Sequence, residues 1–133
     1  MRATLNILVA GAALLLASWP GSAHHSFAAE YDSKSPIDLE GVITKVEWMN
    51  PHAHFYVDVK GPDGKVANWN LELASPNMMV RNGWKRDSIK QGDVVKVNAS
   101  RARDGTNTAS AQMIIKSDGS RFSFMANLNL ESK

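Results

Sequence analysis

All four histidines of the chain fall into two pairs, His24-His25 and His52-Ala53-His54. On an extended strand, residues two apart point the same way, with Cβ atoms about 6–7 Å apart. At that spacing two imidazoles can share one metal ion through nitrogens about 2.0–2.1 Å from it. A histidine in the first position of a chain adds a further donor, because its α-amine and its ring nitrogen can bind the same ion. With another histidine this makes the three-nitrogen brace that suits Cu(II). A free amine (pKa about 7.7–8.0) and an imidazole (about 6.5) both give up a proton readily to a competing metal. The candidate metal ligands are therefore His24, His25, His52 and His54, with Glu72 as a third ligand or as the acceptor that fixes an imidazole tautomer. Copper leads on the nitrogen-rich donor set and zinc follows; a chain with no cofactor, its histidines capping a strand and a polar terminus, is the equal alternative.

Whether His24 is ever first depends on the segment before it. Met1–Asn6 carries Arg2, Ile7–Ala17 is a continuous apolar run, and Trp19-Pro20-Gly21-Ser22-Ala23 ends it with small residues. That is the layout of a secretory signal peptide cleaved between Ala23 and His24. A cut after Ala28 is the rival and would discard both histidines. The apolar run is about half of the roughly 20 residues a spanning helix needs, and no second such run follows. The expectation is an exported protein, in the bacterial periplasm, with no stable membrane insertion after cleavage.

Glu72 enters through strand parity. Ala53, Phe55, Val57 and Val59 alternate with His54, Tyr56, Asp58 and Lys60; Ala67, Trp69, Leu71 and Leu73 alternate with Asn68, Asn70 and Glu72. Gly61-Pro62-Asp63-Gly64 between them is a turn, so the two runs form a hairpin with one buried face. Its register places Glu72 opposite either His54 or His52, beside the histidine pair in both cases.

The remaining elements must hold this hairpin. Leu39–Trp48 is a long bent first strand whose broken alternation implies a bulge, expected near Gly41. Ser75-Pro76 caps a short helix that Asn82-Gly83 stops. Val94–Ala99, Thr108–Lys116 and Arg121–Phe124 are further strands. Three strands, a short helix and two or three more strands predict an all-β, five- to six-stranded OB-like barrel with its helix between the third and fourth strands. An immunoglobulin-like sandwich would need more strands. The expected core is Val42, Val46, Phe55, Val57, Trp69, Leu71, Val95, Val97, Met113 and Ile115. The expected organisation is a signal peptide over 1–23, an extended arm over 24–36, the barrel over 37–125 and a frayed tail over 126–133.

Several runs resemble a known family: His24-His25-Ser26-Phe27, Gly41-Val42-Ile43, Asn50-Pro51-His52-Ala53, Trp69-Asn70-Leu71-Glu72, Gly83-Trp84 and Gly92-Asp93-Val94-Val95. The chain is similar to a family of small exported bacterial proteins that bears only a domain-of-unknown-function label. The resemblance implies a single exported domain and no activity.

A different binding reading uses Tyr56, Arg81, Trp84 and Arg86, cations and aromatics that could hold a small anionic or saccharide ligand or a partner protein on the barrel. Met78-Met79 offers thioethers but reads better as a plug at the barrel end. The 133 residues contain no cysteine, which excludes disulfides, thiolate metal sites and cysteine nucleophiles. Ser26 beside His25 lacks triad geometry, and neither a phosphate loop nor an H-E-x-x-H run occurs, so no enzyme is expected; copper-dependent oxidation is the one catalytic option. A formal charge of +2 is too weak to argue for a polyanionic partner, so no nucleic acid is expected to bind.

Overall fold

The computed structural model describes residues 27–123. A single helical turn, α1 (Phe27–Glu30), leads into β1 (Tyr31–Glu47); β2 (His54–Lys60), β3 (Val66–Glu72), α2 (Pro76–Arg81), β4 (Val94–Ala102), β5 (Thr108–Lys116) and β6 (Arg121–Ser123) follow. The sheet runs β3-β2-β1-β4-β5-β6, and a parallel β3–β5 pairing closes its first five strands on themselves. That is the OB barrel, with its helix between β3 and β4 as the sequence predicts. Among the described residues no helix is long and apolar enough to cross a membrane.

The helix forms where its local chemistry demands. The Ser75 hydroxyl accepts from the Met78 N–H, Pro76 holds the first helical position, and Gly83 follows the C-cap with φ +85°. Met79 faces the core while Met78 is exposed, so only one of the two methionines plugs the barrel.

Two bulges revise the expected core. Ile43 pairs with Val57 and Lys45 with Tyr56, which leaves Thr44 as the extra residue in β1. The bulge thus lies three residues beyond Gly41, and inward parity switches from Leu39 and Ile43 to Val46 and Trp48. Ile43 is 1% exposed and Val42 is 42% exposed, the reverse of the expectation. In β5, Asn98 pairs with Met113 but Ala99 with Ala111, so Gln112 is extra. Ala109, Ala111 and then Ile114 are buried, while Met113 and Ile115 turn to an outer groove beside Lys96. Phe55, Val57, Leu71, Val95 and Val97 are core residues as expected, with Val46 and Trp69 packed against them.

The arm boundary also moves. β1 begins at Tyr31, paired with Ala102, so residues 31–36 belong to a barrel strand rather than to a lead-in. Gly41 is required for a different reason: a Cβ there would overlap the Asp58 carbonyl oxygen of the neighbouring β2. The expected signal peptide and tail, and His24 and His25 with them, lie outside the described residues.

Candidate functional site

The β2–β3 hairpin has the register in which His54 pairs with Glu72 and Tyr56 with Asn70. The pairing runs on past the strand ends: Leu73 N–H donates to the Ala53 carbonyl and Ala53 N–H to the Ala74 carbonyl. His52 is carried by this extension, just ahead of β2.

Glu72 lies opposite His54, yet it engages His52. His52 Nδ1 is 2.6 Å from Glu72 Oε1, while the other carboxylate oxygen accepts from the Tyr31 hydroxyl at 2.5 Å. A carboxylate that accepts on both oxygens places the imidazole proton on Nδ1. Nε2 of the neutral ring then keeps its lone pair. The His52 side chain is 47% exposed, so that lone pair belongs to an accessible ring whose inner edge is fixed. Tyr31 is buried, and burial first, then the Glu72 carboxylate, pushes its hydroxyl well above the usual tyrosine range.

His54 is held separately, its Nδ1 2.9 Å from Asn70 Oδ1. The two histidines of the H-x-H run therefore have different partners, and the hairpin does not present them as a matched pair. Among the described residues no three of His, Cys, Asp and Glu converge as a metal cage.

A cavity of about 320 Å³ opens beside the chain of contacts, lined by Phe27, Tyr31, His52, Glu72 and Ser110 among others. It sits at the parallel seam, where Glu72 pairs with Ser110. Tyr31 and Glu72 also border a neighbouring cavity of about 310 Å³ that reaches Arg103 and Asp104. Phe27, the first described residue, stacks on Tyr31 with ring centroids 5.4 Å apart. Phe27 and the accessible, carboxylate-oriented His52 imidazole thus line the same cavity. A groove of about 380 Å³ on the outer face of β1, β4 and β5 holds none of the histidines.

The rival residues stand apart from the His52 cavity, each in its own surroundings. Trp84 is 4% exposed and packs on Phe122, centroids 4.6 Å apart, so its ring serves the core and is no platform for a ligand. Tyr56 donates to Glu47 at 3.0 Å under Lys45, and its hydroxyl is raised by desolvation and by Glu47. Arg86 stacks over Trp48 at 5.9 Å, and Arg81 is exposed on the last turn of α2.

Two contributors escape the sequence reading. Tyr31 stands in a polar stretch forty-one positions from Glu72, and no periodicity links them. Arg103, in the β4–β5 turn, grips α1.

Comparison with known proteins gives three findings. The model of DUF6152, described as a family of unknown function, matches residues 12–111. No curated protein matches the chain. Two crystal forms of Rim1, the mitochondrial single-stranded DNA binding protein from S. cerevisiae, are similar at 14% and 16% identity with TM-scores of 0.49 and 0.47; each covers 62% of this chain, and the alignment takes in 93% and 92% of theirs. The expectation that nucleic acid is excluded is corrected by this finding, since both neighbours are single-stranded DNA binding proteins and a modest net charge is no ground for the exclusion. DNA binding is a property of those neighbours, while the barrel of this chain rests on its own strand pairing. Nothing in these comparisons points to catalysis.

Proposed function

This chain belongs to the DUF6152 family, whose function is unknown, and from its own residues we propose that it is an exported copper-binding protein. The site forms when signal cleavage after Ala23 frees the amine of His24. The ligands are the amine and ring of His24, or the ring of His25, together with His52 Nε2. Glu72 acts through His52 by fixing its tautomer, and Tyr31 fixes Glu72. His54, held by Asn70, is left out of the set.

One observation carries this reading: the accessible His52 ring, oriented by Glu72, lines the same cavity as Phe27. His24 is three residues before Phe27, and three residues span at most about 10 Å. The His52–Glu72 pair has the form of the carboxylate–histidine contacts that orient metal-ligating imidazoles. All-nitrogen donors with no thiolate favour Cu(II), with Zn(II) weaker at the same site. The protein would hold or hand on the ion and carry out no catalysis.

Titration calorimetry tests this on the chain that begins at His24. The expected result is Cu(II) binding tighter than about 10⁻⁵ M, weakened about a hundredfold by His52→Ala. Binding no tighter than that, or binding that ignores His52→Ala, overturns the proposal.

A further inference from the structure

One outer face of the barrel is polarised across its strands. Directly paired residues of neighbouring strands project to the same side of a sheet, so the register sets the rows of this face. Glu40 pairs with Lys96, Lys96 with Ile115 and Ile115 with Arg121. In the next row Asp38 pairs with Asn98 and Asn98 with Met113. Phe122 packs against the core, which leaves its neighbour Arg121 outward and exposed. The face therefore runs from carboxylates on β1, through Lys96 and Asn98 on β4, to an apolar column on β5 and a cation on β6. The groove of about 380 Å³ lies over its first three strands, and a second of about 290 Å³ shares Glu40, Lys96 and Ile115 with it and extends to Val94. Val94 pairs with Val42, and the two are 46% and 42% exposed.

These charges are only loosely matched within the chain. Glu40 and Lys96 approach to 3.6 Å, with side chains 64% and 67% exposed. Among the described residues Arg121 has no ion-pair partner.

We propose that this face pairs with a second copy of the chain, about a two-fold axis that runs along the strands between β4 and β5. Charge complementarity selects that occupant. Such an axis keeps each row and reverses the strand order. Glu40 then meets Arg121 of the second copy, and Arg121 meets the Glu40 of that copy. Lys96 lays its aliphatic stem on Ile115 of the second copy while its ammonium stays in water. One surface supplies both halves of every contact, as an isologous interface requires. Two sheets aligned in this way cover the valine pair and the apolar column. The 380 Å³ groove is lined by none of the histidines, so the inference stands independently of the metal reading.

Sedimentation equilibrium of the exported protein tests this, with Glu40→Arg, Arg121→Glu and an equimolar mixture of the two variants. The unaltered chain should form a dimer with Kd tighter than about 10⁻⁴ M. Its association should weaken as salt is raised, a measurement that needs no variant. Each variant alone sets like charges together twice per dimer and should associate about tenfold more weakly. In the mixture the reversed position 40 of one chain faces the reversed position 121 of the other, and the unaltered pair faces likewise. Association there should return to within about threefold of the unaltered chain. A chain that stays monomeric up to about 1 mM overturns the proposal. So does a dimer indifferent to both reversals or to salt, and so does a mixture that fails to recover.

Discussion

His52 Nδ1 lies 2.6 Å from Glu72 Oε1, although the β2–β3 register sets Glu72 opposite His54. The carboxylate reaches along its strand face to the diagonal neighbour, and Tyr31 from β1 holds its other oxygen there. Glu72→Gln should keep the shape and an acceptor but lose the charge that makes the His52 ring a better donor. Cu(II) affinity should fall about 10–100-fold with the fold intact, read by titration beside a thermal midpoint. Unaltered affinity would remove Glu72 from the account.

Tyr31 predicts an alkaline limit to stability. Burial and Glu72 raise its hydroxyl above the ordinary value of 10.0, so the folded state keeps a proton that the unfolded state loses. The stabilisation is full below pH 10 and is lost progressively as pH rises beyond it toward the folded value. Denaturant unfolding at rising pH should show stability declining above pH 10, and Tyr31→Phe should remove that part of the decline. An equal alkaline decline in both proteins would contradict the assignment.

The β5 bulge makes a sharp forecast about neighbouring residues. Ile114→Ala should cost about 2–5 kcal/mol, because Ile114 is fully buried. Met113→Ala and Ile115→Ala, on the outer groove, should each cost less than about 1.5 kcal/mol. Chemical denaturation of the three variants checks the order; a larger loss at Met113 or Ile115 would mean the bulge lies elsewhere.

The barrel was legible because each of its signals is local: alternation in β2 and β3, the Gly61–Gly64 turn, and the Ser75-Pro76 cap. What failed was phase. Thr44 and Gln112 each insert one residue without any residue-type signature, and a single insertion turns every later side chain to the other face. Unbroken alternation puts Val42 on the face of Val46 and Trp48, and Met113 and Ile115 inward; across the two insertions Ile43 and Ile114 take those places. Glu72 beside the histidines followed from parity alone, which survives either register. Tyr31 and Arg103 could not be found that way. Each meets the site through tertiary closure: one at the start of β1, the other in a turn seventy-five positions from its acceptor Ala28.

The central claim is that a free amine at His24 and the His52 ring meet on one Cu(II) ion. Electron paramagnetic resonance of Cu(II) bound to the chain that starts at His24 tests it most directly, beside the same chain with one alanine added in front. The account predicts nitrogen hyperfine structure from three donors in the first, and loss of the amine contribution with weaker binding in the second. Identical spectra from the two chains, or a spectrum of hydrated copper from both, would contradict it.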